Sequence, residues 1–186
     1  MRFFFSSCAA LAALSVQVTA GVSRSTVDLN LTASAAIPFF NLPTLVGSAQ
    51  YQADPNDVEA IRVTLALYPL SIDGKNFAAL NQVFTPNAVA NYSAPLNVLT
   101  PLSTIESVLE ASLAPVTTQH AYGTQLIDIL SRDAAFSVTY YTATHFGRGP
   151  FLGQIVTAYG QYQDVWAKQS DDSWKITHRN LVYMVR

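Results

Sequence analysis

The segment from Thr117 to His145 places the strongest constraint on how this chain folds. Two β-forming runs, Gln125 to Leu130 and Ala134 to Phe146, flank a polar Ser-Arg-Asp corner, a pattern that predicts a β-hairpin. His120 precedes the first run and His145 lies near the end of the second, so both imidazoles are expected at one end of the hairpin. The chain has only three histidines. Proton chemistry near neutral pH is therefore expected at this end.

Strict alternation in the second run of the hairpin assigns its side chains to two faces. One face carries the larger apolar residues Phe136, Val138 and Phe146, and the other carries Tyr141 and His145. The face with His145 has smaller and more polar side chains, which indicates the wall of a cavity.

Three helical patterns precede the hairpin. The first begins at Asp54, which is suited to cap a helix, with Pro55 at the first helical position. Pro69 is predicted to kink or end this helix, because proline lacks a backbone donor. Shorter helices are predicted from Phe77, ending before a Thr-Pro-Asn turn, and after Pro101.

Two long strands are predicted after the hairpin, Ile155 to Lys168 and Trp174 to Val185. The second contains His178, which we interpret as a structural residue. Helical patterns followed by long antiparallel strands predict a single α+β domain over residues 54–186. Long strands with helices on one face are expected to curve around them and to leave a pocket between the two layers.

The N-terminus has the pattern of a secretory pathway protein. Residues 1–20 combine a basic start, an apolar run and small residues up to Ala20, which predicts a cleaved signal peptide shorter than a membrane span. We therefore expect a secreted protein with no stable membrane insertion after cleavage. Residues 21–53 predict an extended leader, whose apolar patch from Ile37 to Leu42 is expected to pack on the domain or on a second subunit.

Composition and missing motifs argue against several classes of function. The net charge of −2 makes nucleic acid an unsuitable partner. The single cysteine, Cys8, lies in the predicted signal peptide, so no disulfide or thiolate site is expected. The chain has no dinucleotide-binding fingerprint, Walker loop or zinc-protease helix motif, and we predict no cofactor and no metal. Sequons at Asn30 and Asn91 are candidate glycosylation sites.

Four short motifs together resemble a known family. They are the segment around Asp73, the Val-Ala-Asn-Tyr run ending at Tyr92, the Thr-Gln-His motif ending at His120, and His145 at the end of the next long strand. These residues are similar to the SnoaL-like and scytalone dehydratase group of the nuclear transport factor 2-like superfamily. The resemblance implies a cone in which a curved antiparallel sheet wraps around three N-terminal helices.

The resemblance also implies an activity. The expectation is a cofactor-independent lyase or isomerase acting on a small apolar or aromatic substrate, polyketide- or terpenoid-like, in a homodimer or larger homo-oligomer. Asp73, His120 and His145 are implied as catalytic residues, because two imidazoles can exchange protons near neutral pH while a carboxylate orients one of them.

Five further residues are expected to bind the substrate, by family position and by strand alternation: Tyr68, Tyr92, Tyr141, Gln161 and Gln163. The chain departs from the dehydratases at Ile72, where they have a tyrosine. The Tyr92 side chain is therefore expected without the partner that helps to hold a carbonyl-polarising water.

Two alternative functions stay open on sequence alone. A secreted binding module would use the same cone to hold a small ligand, or to assist cyclisation, and would lack a close Asp-His pair. An interaction protein would pair two subunits through the sheet, and side chains would fill its pocket.

Overall fold

The computed structural model describes residues 36–45 and 51–184. The predicted signal peptide and Asn30 lie outside these residues. The described elements are helix α1 (Leu42–Leu45), helix α2 (Pro55–Asp73), strand β1 (Phe84–Asn91), strand β2 (Val98–Leu99), helix α3 (Leu102–Leu113) and strands β3 (Val116–Ile129), β4 (Ala134–Gly147), β5 (Ile155–Lys168) and β6 (Trp174–Tyr183), with 3-10 turns at Phe39–Asn41, Phe77–Gln82 and Gly149–Phe151.

The six strands form one curved sheet in the order β2-β1-β6-β5-β4-β3, which confirms the α+β cone. Every neighbouring pair of strands is antiparallel except β1 and β6, which pair in parallel. The chain leaves β2, crosses through α3 to the far edge at β3, and returns strand by strand to β6. That path makes β6 run in the same direction as β1.

Helix α2 passes through Pro69, where a kink or an end was predicted. Its N-terminus is capped as predicted, because the Asp54 carboxylate accepts a hydrogen bond from the Asn56 backbone N–H at 2.9 Å. The helix does not end at Pro69 but continues to Asp73. One missing backbone hydrogen bond is tolerated here because Tyr68 and Ile72, on either side of the proline, are buried in the core.

Two strand boundaries also differ from the prediction. Strand β1 begins at Phe84, directly after a 3-10 turn, whereas a longer helical segment was expected there. Strand β3 begins at Val116, so His120 lies within the strand and not before it. The first half of β3 pairs with β4 although its alternating side chains are mostly polar and half-exposed, and such a stretch carries a weak hydrophobic signal.

The main core lies between the helices and the inner face of the sheet. It is formed by side chains from both layers, including Ile61, Leu65, Leu80, Ile105, Tyr162, Trp166, Trp174 and Ile176. The N-terminus of α2 is fastened to the sheet by Asp57, whose carboxylate accepts hydrogen bonds from Trp174 and Lys168, both at 2.9 Å.

The leader residues 36–45 lie against the outer face of the sheet. Ile37 and Leu42 are buried there in a second cluster with Phe136 and Val138. The Gln163 side chain holds the segment in both directions, accepting from the Ile37 N–H at 2.7 Å and donating to the Ile37 carbonyl at 2.8 Å. Ile37 and Leu42 therefore pack on the domain, the first of the two expected arrangements, whereas Phe39 and Phe40 of the same patch are exposed.

Candidate active site

Asp73 occupies the last position of α2, facing strand β3. Because the helix continues past Pro69, the carboxylate reaches the strand that carries His120. The two Asp73 oxygens bind two groups of that residue: Oδ1 lies 2.7 Å from His120 Nδ1, and Oδ2 accepts from the His120 backbone N–H at 2.8 Å. Ring and backbone of His120 are thus fixed by one side chain.

This arrangement decides which ring nitrogen of His120 is available. An ionised carboxylate only accepts hydrogen bonds, so Nδ1 carries a proton and donates it to Asp73. The other nitrogen, Nε2, is then left for a ligand. The His120 side chain is only 7% exposed and lines a cavity, so a ligand in the cavity would meet a ring of fixed orientation and tautomer.

Asp73 stays ionised in this site. Burial raises the pKa of its carboxyl group, but the hydrogen bonds from the His120 ring and backbone, with a smaller contribution from Thr118, outweigh burial and lower the pKa below its ordinary value. The carboxylate therefore acts as a hydrogen-bond acceptor for both His120 groups.

His145 lies on the neighbouring strand, on the same face as His120. Thr118 pairs with His145 and His120 pairs with Ala143, so the two imidazole rings sit diagonally with their centroids 6.4 Å apart. Burial lowers the pKa of His145, and the charge of His120 lowers it further against weaker opposing effects of the Val156 and Ala143 backbones. His145 is therefore neutral near pH 7.

Two tyrosines form a hydroxyl pair in the same cavity. The hydroxyls of Tyr68 on α2 and Tyr92 after β1 lie 3.2 Å apart. Burial raises the pKa of both groups, for Tyr92 well above the ordinary value, so both stay protonated and can donate hydrogen bonds. The tyrosine that is missing at Ile72 is thus replaced, as a partner for Tyr92, by Tyr68 one helical turn earlier.

The cavity between helices and sheet is partly open to solvent and has a volume of about 100 Å³. The aromatic ring of Tyr141 stacks on Tyr162 with centroids 4.4 Å apart. Burial raises the pKa of Tyr141, and its buried hydroxyl has no hydrogen-bond partner in the described residues. The cavity is lined by Tyr68, Ile72, Tyr92, Leu96, Leu109, Ser112, Leu113, His120, Tyr141, Ala143, His145, Ala158, Tyr162, Leu181 and Tyr183.

The structure contradicts the placement of Gln161 and Gln163 in the cavity. Both side chains are buried on the outer face of β5, where Gln163 binds Ile37 and also donates to Gln161 at 3.1 Å. The reason is strand alternation, since Tyr162 between them faces the cavity. His178 pairs with Val165 on β5 and does not line the cavity.

Sequence reasoning missed a buried ion pair beside the cavity. Arg179 Nε and Nη2 each donate to Asp164 at 2.7 Å, and both side chains are fully buried. The guanidinium lies against the rings of Tyr68 and Tyr162, with its carbon 4.2 Å from each centroid. Burial lowers the pKa of Arg179, but the Asp164 carboxylate outweighs burial and holds it well above the ordinary value. Strand alternation places Asp164 on the same inward face as Tyr162 and Trp166. This pattern in the sequence could have predicted that Asp164 is buried.

Two further expectations concern sites outside this set. In the described part of the chain, no group of three or more histidine, cysteine or acidic residues is arranged to hold a metal ion. Asn91, at the end of β1, is half-buried, and its side-chain oxygen accepts from the Ser93 N–H at 2.9 Å. Its glycosylation stays a prediction.

No helix among residues 36–45 and 51–184 is long and apolar enough to cross a membrane. No curated protein sequence matches the chain.

Solved structures with the same fold come from several bacteria. A protein from Novosphingobium aromaticivorans, provisionally named a scytalone dehydratase, is 24% identical and covers 70% of this chain and 85% of its own, with a TM-score of 0.62. A nuclear transport factor 2-like superfamily protein from Salmonella enterica is 19% identical, with coverages of 72% and 95% and a TM-score of 0.63. ActVI-ORFA from Streptomyces coelicolor is 14% identical, with coverages of 68% and 96% and a TM-score of 0.58.

The family comparison covers most of the chain. The model of the SnoaL-like domain matches residues 54–180, which runs from the N-cap of α2 into β6 and includes Asp73, His120 and His145. The chain therefore belongs to the SnoaL-like domain family.

Proposed function

We propose that this protein is a cofactor-independent lyase or isomerase that moves a proton on a small, neutral, polyketide- or terpenoid-like substrate. The observation that carries the proposal is the two-point attachment of His120 to Asp73 inside an open cavity. A carboxylate that fixes the tautomer of a histidine, with the second ring nitrogen left at a cavity, is an arrangement suited to general base catalysis.

The first step of the proposed reaction is removal of a proton from a carbon next to a carbonyl group. His120 Nε2 takes the proton, and the electron pair of the C–H bond forms an enolate. The resulting imidazolium is stabilised by the Asp73 carboxylate at 2.7 Å. The enolate oxygen receives a hydrogen bond from the Tyr92 hydroxyl, which stays protonated and itself accepts from the Tyr68 hydroxyl at 3.2 Å, so the donor acts where charge develops.

The second step returns the proton. His120, or the neighbouring His145 after proton exchange, delivers it to a departing hydroxyl group, which leaves as water, or to another carbon. The first outcome is elimination and the second is isomerisation. The ring centroids of the two histidines are 6.4 Å apart, so a substrate in the cavity can lie beside both rings.

The class of substrate follows from the residues that line the cavity. They are aromatic and aliphatic side chains with two histidines, one serine and no aspartate, glutamate, lysine or arginine. Because an unpaired charge in such surroundings is costly, the favoured ligand is neutral and largely apolar. The close Asp73–His120 pair and the open cavity both argue against the binding-module and filled-pocket alternatives.

The proposal is tested by following deuterium exchange at the α-carbon of neutral aromatic β-hydroxyketones in D₂O by NMR, together with loss of water. The wild-type chain is expected to accelerate exchange, and His120→Ala or His145→Ala to slow it by about 100-fold or more. His178→Ala is the matched control, since His178 lies away from the cavity, and it should keep full activity.

Near-UV circular dichroism and denaturant unfolding show whether each variant is folded. Ligands that bind the cavity of wild-type protein without any exchange or elimination would contradict the proposal and support a binding module. Full activity of both His120→Ala and His145→Ala would contradict it as well.

A further inference from the structure

The connection between β4 and β5 presents an apolar surface that the proposed reaction does not use. We call residues 146–156 the hairpin tip. Its apolar side chains are exposed: Leu152 is 82% accessible, Ile155 64% and Val156 63%, and Phe146 and Phe151 are also exposed. Single exposed apolar residues are ordinary on protein surfaces, but a contiguous group marks an interaction site.

Backbone hydrogen bonds hold the exposed hairpin tip in a defined conformation. The Gly147 N–H donates to the Gln154 carbonyl at 2.9 Å, and the Arg148 N–H donates to the Pro115 carbonyl at 2.9 Å, which fastens the loop to the segment before β3. Gly149 and Gly153 have φ values of 55° and 87°, a left-handed conformation that favours glycine. The backbone therefore holds Phe151 and Leu152 outward by its own hydrogen bonding.

The hairpin itself carries one charged side chain, and it is basic. From Ala134 to Gln163 the chain contains no acidic residue and a single basic one, Arg148, which is exposed. Lys75 lies close to Arg148. Burial lowers the pKa of Lys75, Asp73 opposes this effect, and the charge of Arg148 lowers the pKa further. An apolar protrusion with exposed positive charge is complementary to a surface that combines hydrocarbon with negative headgroups.

We propose that the hairpin tip docks this protein on the surface of an anionic lipid bilayer. Phe151, Leu152 and Ile155 enter the boundary between headgroups and acyl chains, and Arg148 binds lipid phosphate. The docking is peripheral and reversible, because a few side chains bury too little apolar area for permanent attachment.

A second copy of the chain suits this surface less well. A twofold axis through the hairpin tip would bring two Arg148 guanidinium groups together, and the strands on either side of the tip offer no acidic residue as a partner. Like charges at close range oppose association, whereas lipid phosphates neutralise the same charge.

Docking would place the cavity near the lipid surface. His145 lies just before the hairpin tip on β4, and Ala158 lies just after it on β5; both line the cavity. An apolar ligand dissolved in the bilayer would therefore be close to the residues that bind it. This consequence depends on the proposed function, but the docking itself does not.

The test is co-sedimentation of the full chain with vesicles of phosphatidylcholine, alone or with about one-third phosphatidylglycerol. Leu152→Asp is expected to weaken binding to the anionic vesicles by about 10-fold or more, because it removes apolar burial and adds a negative charge. Val63→Asp is the matched control: Val63 is 54% exposed on α2, the charge change is the same, and binding should not change. Arg148→Gln should weaken binding and reduce its sensitivity to salt.

A second measurement reports on the hairpin tip alone. Phe151→Trp introduces an exposed indole, whereas the native Trp166 and Trp174 are each 1% exposed. Vesicles with brominated acyl chains should quench the new fluorescence if the tip enters the bilayer. Sedimentation without this quenching would show attachment through another part of the chain and overturn the proposal.

Two other outcomes also overturn it. Equal binding to both vesicle types by wild type, Leu152→Asp and Val63→Asp would show that the hairpin tip takes no part. A concentration-dependent dimer that Leu152→Asp dissociates, without any vesicle binding, would show that the occupant is a second copy.

Discussion

On the inner side of the sheet, two carboxylates each bind a basic side chain at the same distance, one at the edge of the cavity and one fully buried. Asp73 and His120 are joined at 2.7 Å, the Asp73 side chain is 26% exposed, and His120 lines the cavity. Asp164 and Arg179 are joined twice at 2.7 Å, and neither is exposed at all. Short distance therefore does not distinguish a chemical site from a structural one. What distinguishes them is whether one partner keeps an atom that a ligand can reach.

The enclosed pair is held by its neighbours as well as by its own bonds. The Arg179 guanidinium packs against both Tyr68 and Tyr162, so the charge interacts with two aromatic rings. Tyr68 also belongs to the hydroxyl pair with Tyr92. The ion pair thus fixes one wall of the cavity from behind, whereas Asp73 fixes the group that faces the ligand.

The largest expected effect is on folding, from Asp164→Asn. Losing one member of a fully buried ion pair leaves the Arg179 charge without its partner, and such losses cost about 3–5 kcal/mol. Chemical denaturation with two probes measures the change in unfolding free energy. Asp172→Asn, at an exposed turn whose side chain is 90% accessible, is the control and should leave stability unchanged. A cost for Asp164→Asn that matches this control would remove the structural role assigned to the pair.

The next effect is on catalysis, from Asp73→Asn. An amide keeps the size of the carboxylate but loses its charge, so the imidazolium of His120 is less stabilised. Exchange at the α-carbon should slow by about 10- to 100-fold, a part of what general base catalysis contributes. Stability should fall by only about 1–3 kcal/mol, since the lost bonds involve a partly exposed group. An unchanged exchange rate, or a stability loss equal to that of Asp164→Asn, would erase the distinction between the two pairs.

The sequence predicted the Asp73–His120 pair at the cavity better than the enclosed Asp164–Arg179 pair. Asp73, His120 and His145 were expected together because short motifs and a hairpin place each of them at one end of the sheet, and the structure brings them together. Asp164 and Arg179 were not expected inside, because charged residues are rarely buried unless paired. The pairing depends on the register of β5 against β6, with its bulge between Val165 and Trp166, which local patterns do not encode.

The incorrect site predictions also arise from packing and register that local sequence patterns do not encode. Gln161 and Gln163 were assigned to the cavity although Tyr162, Asp164 and Trp166 on the same strand point there, and a shift of one residue exchanges the two faces of a strand. The role of Tyr68 as the partner of Tyr92 depends on how α2 packs against β1, which the local pattern of the helix does not specify. In both cases the contacts between elements distant in sequence determine which side chains face the cavity.

The smallest expected effect is on the pH dependence of stability and comes from His145, which lies in the open site. Its folded-state pKa is lowered from the ordinary value of 6.5, by burial first and then by His120, so the unfolded chain binds this proton more readily than the folded chain. The stability contributed by neutral His145 is therefore complete above pH 6.5 and is lost as the pH falls through the folded-state pKa. Arg179 stays charged near neutral pH. Its protonation therefore adds nothing to the change of unfolding free energy with pH.

Denaturant unfolding between about pH 5 and pH 8 measures this slope. His145→Gln should flatten it, because a neutral side chain of similar polarity cannot take up the proton, while His178→Gln on the last strand should leave the His145 part of the slope in place. If His145→Gln and the wild-type chain lose stability in parallel on acidification, then His145 is not desolvated by the cavity. The open site would then differ from the enclosed pair in exposure alone, and not in how burial controls the charge of its histidines.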